Sequence, residues 1–135
     1  MTWLSASTYR DLLRARSPLG GQADALRAEA AAGTPGRTAS IINARVDQLM
    51  SGEGSLASFG ALSPAEQAVV DVTDQFLLDA HSISDSMVAS LGEHYSSTEQ
   101  VSLLFHLAMA DGFTKFARVF GVVSDHHGDQ PEGDS

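Results

Sequence analysis

The residues with the most chemical promise lie in one stretch, Ser97 to Val123, which reads STEQVSLLFHLAMADGFTKFARVFGVV. Asp111 and Lys115 stand four residues apart in it, and His106 precedes them. A carboxylate one helical turn before an ammonium has two readings. It can be a surface ion pair worth about 0.2–0.5 kcal/mol. It can also line a pocket, with Lys115 a cation for an anionic substrate and Asp111 a base or an orienting group. His106 and His81 are the further candidates for proton transfer. His81 ends an earlier apolar segment, as does His94, and a His at a helix C-terminus is favoured by the helix dipole, so capping is open to both.

Much chemistry is excluded. There is no Cys, which removes disulfides, thiolate metal sites and thiol nucleophiles. No His-x-x-x-His or Glu-x-x-His arrangement occurs, so no metal site is expected. Neither a phosphate loop, a dinucleotide fingerprint nor a Gly-x-Ser-x-Gly elbow occurs, and no cofactor is expected.

The elements that must position these residues are helices. Ser5 or Ser7 can cap a first helix to about Arg16, carrying Tyr9, Leu12 and Leu13, and Ser17-Pro18-Leu19-Gly20-Gly21 should break it. Gln22 to Ala32 is rich in Ala and Glu and has strong helix propensity. Gly33-Thr34-Pro35-Gly36 stops it, and a third helix runs from Thr38 or Ser40 to Met50. Ser51 to Gly60 is a loop of small residues. Ser63-Pro64-Ala65-Glu66 is a capping box with Pro at the first helical position, opening a helix that ends near His81. Ser82 or Ser84 caps a shorter helix with Met87, Val88 and Leu91. Ser97-Thr98-Glu99-Gln100 is a second capping box and opens the long helix. No stretch alternates at period two, so the chain is predicted to be all-α, a compact domain of five to six helices over residues 1–123 with a long buried C-terminal helix. Residues 124–135 are polar and acidic and are predicted to be a disordered tail.

On a helical wheel, Val101, Leu104, Phe105, Ala108, Gly112, Phe116 and Val119 make one wide apolar face of the long helix. Met109, Phe113 and Phe120 extend it, while Asp111 and Lys115 lie at its margin. Apolar residues over more than half the circumference predict burial between neighbours. A glycine at 112 costs about 1 kcal/mol against Ala and marks a close helix–helix approach.

A chain of 135 residues with 43% hydrophobic side chains is one domain able to bury a core. Its net charge is −9. Residues 1–50 hold six Arg and four acids, and residues 51–135 hold two basic residues and thirteen acids. This balance argues against nucleic acid and anionic membrane as partners. The asymmetry lets the Arg-rich part dock on an acidic surface of its own chain or a neighbour's, or leaves both faces solvated. With no apolar run near a membrane span and no basic-then-apolar N-terminus, a soluble cytoplasmic protein is expected.

Ala61 to Val123 resembles the C-terminal half of the carboxymuconolactone decarboxylase and alkylhydroperoxidase D superfamily. Leu62-Ser63-Pro64-Ala65-Glu66 matches its Leu-Ser-x-x-Glu helix start, and Ile83 to Leu91 its short helix. Thr114-Lys115-Phe116-Ala117-Arg118-Val119-Phe120-Gly121-Val122 is similar to its Asn-Arg-Phe-x-x-x-Leu-Gly-Val ending. Residues 1–60 diverge. The redox members carry Cys-x-x-Cys-x-x-x-His, whose slots would fall near Pro18, Gly21 and Ala25, so peroxidase and disulfide-reductase activity are excluded. Where the family often has Asn and Arg in the last helix, this chain has Asp111 and Lys115, and the family's early Glu is Ser102. The resemblance implies a helical homo-oligomer (dimer, trimer or hexamer) with pockets near subunit interfaces.

Two functions follow as expectations. One is a non-redox lyase or isomerase/cyclase acting by acid–base catalysis on a small cyclic or polyketide-like acid, with Asp111, Lys115, His106 and His81 as candidate catalytic residues. The other is a catalytically inactive member serving as an oligomeric binding or assembly subunit.

Overall fold

Five α-helices carry the domain in the computed structural model, which describes residues 19–121. They are α1 (Leu19–Ala32), α2 (Thr38–Ser51), α3 (Pro64–Asp79), α4 (Asp85–Gly92) and α5 (Ser97–Val119), with one-turn 3-10 helices at Ala57–Phe59 and Ala80–Ser82. There is no strand among the described residues, so the fold is all-α with a long C-terminal helix, as the periodicity predicts. The expected helix ending at Arg16 and the expected tail over 124–135 lie outside the described residues.

The local signals act largely as read. Ser63 Oγ accepts from Glu66 N at 3.1 Å while Glu66 Oε1 accepts from Ser63 N at 2.9 Å, a complete capping box behind Pro64. Ser84 Oγ accepts from Met87 N and starts α4. The second box sits one residue earlier than predicted, pairing Ser96 with Glu99 rather than Ser97 with Gln100, two pairs with the same spacing. Leu19-Gly20-Gly21, expected to be part of a break, forms the first turn of α1. α5 stops at Val119, earlier than the periodicity suggests, where Gly121 takes φ 69° and closes the helix.

α2 lies between α3 and α5, α1 packs along α5, and α4 closes the end between α3 and α5. Ile42 and Val46 of α2, Val69 and Val72 of α3, Leu91 of α4 and Leu103 and Leu107 of α5 meet in the core. Each such side chain contributes about 1.5–3 kcal/mol on leaving water. Two bidentate ion pairs staple α2 to the α3 region. Arg37 Nε and Nη2 donate to Glu66 at 2.8 and 2.9 Å, and Arg45 Nε and Nη2 to Asp74 at 2.6 and 2.8 Å. Arg37 also donates to the Phe59 carbonyl at 2.7 Å, fixing the loop before α3. Here the Arg-rich first half docks on acids of its own chain.

The buried side of α5 differs from the wheel reading. Leu103, His106, Leu107, Ala110, Thr114 and Ala117 face the core. The stripe of Val101, Phe105, Ala108, Gly112, Phe116 and Val119 faces outward. The inward side hides its character behind two polar residues. Thr114 Oγ1 donates to the Ala110 carbonyl at 2.7 Å, and His106 Nε2 bonds to Asn43, so each enters the core with a hydrogen-bond partner. Small residues there let neighbours come close. At Gly33, which ends α1, an added Cβ would fall on the Ser102 hydroxymethyl of α5.

Candidate functional site

α5 displays its candidate groups on different sides. At 100° per residue, Asp111 lies about 140° round the helix from His106. Lys115 Nζ is 3.0 Å from Asp111 Oδ1 and 3.2 Å from Oδ2, so the ammonium straddles the carboxylate. The Lys115 side chain is 58% exposed and that of Asp111 15%. This is a surface i,i+4 pair, and neither residue lines any of the clefts described below. His81 sits in the one-turn helix after α3, is exposed, and donates its backbone N–H to Asp79 Oδ1 at 3.0 Å. The four candidates therefore do not converge.

His106 is different. It is 6% exposed and reaches from α5 to α2, where Nε2 lies 2.8 Å from Asn43 Oδ1. An amide oxygen only accepts, so Nε2 carries the proton and the basic lone pair of the neutral ring is on Nδ1. The ring and Asn43 line a cleft of about 410 Å³ between α1, α2 and α5, with Asp24, Arg27 and Ser40 as its other polar residues. The Arg27 guanidinium lies 5.8 Å from the centre of the Phe113 ring, a cation–π distance. Nδ1 itself is buried from solvent, so the groups the cleft presents are the Arg27 cation and the Asp24 carboxylate, which suit binding of a small polar molecule. Ser40 and Asn43 also line a neighbouring cleft of about 270 Å³ with Glu53 and Ser58.

Arg27 and Asn43 are the cleft residues that sequence reasoning missed, and it also passed over the buried Asp47. Asp47 is 6% exposed and lies one turn beyond Asn43 on α2. The available signal was two polar residues four apart, interleaved with Ile42 and Val46 in an apolar helix. A further cleft of about 320 Å³ between α3 and α4 holds Asp71, Glu93 and His94. All three are exposed, so that cleft is less preorganised than the one at His106. Among the described residues no group of three or more His, Asp or Glu is placed to hold a metal ion, and no helix is long and apolar enough to cross a membrane. Comparison with protein-family models, with curated proteins and with solved structures finds no match to this chain.

Proposed function

We propose that this chain is a non-redox, carboxymuconolactone decarboxylase-like enzyme of the cytoplasm. It binds a small cyclic or polyketide-like acid and moves a proton on it, in a decarboxylation, isomerisation or cyclisation. The observation that carries the reading is the buried His106, held at 2.8 Å by Asn43 in the wall of a cleft that also bears Arg27. In this scheme His106 is the acid–base group and Asn43 fixes its tautomer and ring plane. Arg27 holds the substrate carboxylate. The order of elements supports the family part of the reading: a Pro-started, boxed α3, a short Ser-capped α4, then a long boxed α5.

Cyclic carboxylic acids screened for turnover by NMR test it. The expected result is conversion of at least one acid, lost by about 10²–10⁴-fold in His106→Gln. Binding of the acid should persist in that variant and weaken in Arg27→Ala. Full turnover in His106→Gln would remove His106 from the mechanism.

The exposure of Lys115 and His81 favours a second reading, a non-catalytic binding or assembly subunit. His106 and Asn43 then serve only to tie α5 to α2. On that reading no acid is converted, and His106→Gln changes stability alone.

A further inference from the structure

The outward stripe of α5 is an apolar surface in a strongly acidic protein. Val101 is 68% exposed, Phe105 48%, Phe116 38% and Val119 79%, with Ala108 and Gly112 between the two Phe residues also exposed. Gly112 is not explained by packing among the described residues, where a Cβ added to it meets nothing within 4 Å. Beside it lies a nearly all-apolar groove of about 370 Å³, lined by Ala108, Met109, Gly112, Phe113 and Phe116.

We propose that this face pairs with the same face of a second copy, with the two α5 helices antiparallel and the two-fold axis near residue 110. Three observations choose a second copy as the occupant. First, the stripe is the same from either end: Val, Phe, a small residue, a small residue, Phe, Val at 101, 105, 108, 112, 116 and 119. A two-fold axis needs a patch complementary to itself, and this order sets Val101 against Val119 of the partner subunit and Ala108 against the partner's Gly112. Second, in that register Phe105 of each copy falls at the level of residue 115 in the other, between Gly112 and Phe116, where the groove lies. Gly112 leaves the room that the ring occupies. Third, the charges balance. The stripe carries no charged side chain, and its margin carries the Asp111–Lys115 pair. Antiparallel pairing brings both copies' pairs to one rim, each acid still held by the Lys115 of its own chain, so the rim is neutral and the −9 charge of each chain is not concentrated at the contact. This inference does not rest on the proposed catalysis.

The chain has no cysteine, so single thiols can be placed at will. Val101 of one copy lies about 27 Å along the axis from the partner's Val101 in this arrangement, too far for a disulfide. Mild oxidation of a mixture of Val101→Cys and Val119→Cys should give a covalent dimer, while each alone should not. Val101→Cys linking with itself would mean parallel pairing and overturn the register. Light scattering of the native full-length chain at micromolar concentration should give a dimer mass. Ala108→Glu, at a position exposed in the single chain, should keep its helical circular dichroism and weaken association by about 30-fold or more. A dimer unchanged by Ala108→Glu overturns the surface. A monomeric native chain overturns pairing altogether. In that case maleimide labelling of Val101→Cys reports whether residues 1–18 shield the face or leave it bare.

Discussion

The two sides of α5 contrast in a direction opposite to naive expectation. The side that packs into the domain carries a His, a Thr and two Ala among its six buried positions. The side that faces outward carries two Val, two Phe, an Ala and a Gly. Apolarity thus marks a surface destined to be covered, but it does not say by what. The inward side tolerates polar residues because each finds a partner: Thr114 on its own helix and His106 on α2. The outward side has no such partners within the described residues, and its composition fits a second copy of itself.

The contrast can be broken by matched substitutions on the two sides. Leu107→Ala, at a position 1% exposed, should lower the unfolding free energy by about 2–5 kcal/mol, measured by urea titration. Val101→Ala, measured on monomer at low concentration, should stay within about 0.5 kcal/mol. Equal losses would show that the outward stripe is covered within the single chain. The next pair uses glycines. Gly33→Ala drives a methyl onto Ser102 and should destabilise by about 1–3 kcal/mol. Gly112→Ala meets open space and should stabilise the monomer by about 1 kcal/mol through helix propensity while weakening the dimer. A Gly112→Ala monomer that melts lower than the native monomer would contradict the open outward face.

Smaller effects sharpen what holds the inward side in register. Ser63→Ala removes the cap of α3 and should cost about 1 kcal/mol. The bidentate Arg37 bonds, then the Ser63 N–H, lower the Glu66 pKa from 4.5 to about 2. A carboxylate whose folded pKa is depressed stabilises the fold above its unfolded value. That contribution is whole above pH 4.5 and is lost as pH falls toward 2. Urea midpoints between those limits should fall less steeply in Arg37→Ala than in the native chain. Identical slopes would show that this pair adds nothing to stability.

Much of the fold was legible because it rests on local chemistry. Capping boxes, Pro64 and the Gly33–Gly36 turn act within a few residues, and they delimit helices without help from the rest of the chain. The orientation of α5 was not legible. A wheel ranks faces by apolarity, and the inward face scores low because Ala110, Thr114 and Ala117 are small and His106 is polar. The partner that lets His106 face inward is Asn43, which lies 63 residues away in the sequence. Of the four candidate site residues, only His106 lines a described cleft. Asp111 and Lys115 share a helix with it, but helix geometry turns them to another side.

The central claim is that α5 works on two sides, with the His106 cleft inward and pairing with a second copy outward. Amide chemical-shift mapping of the full-length protein tests both halves in one measurement, under two perturbations. Dilution should move residues 101, 105, 108, 112, 116 and 119 and leave Arg27 and Asn43 in place. Addition of benzoate, a minimal cyclic carboxylate, should move Arg27, Asn43 and His106 and leave the outward stripe unchanged. Shifts confined to one common set under both perturbations, or no shift under either, would contradict the account.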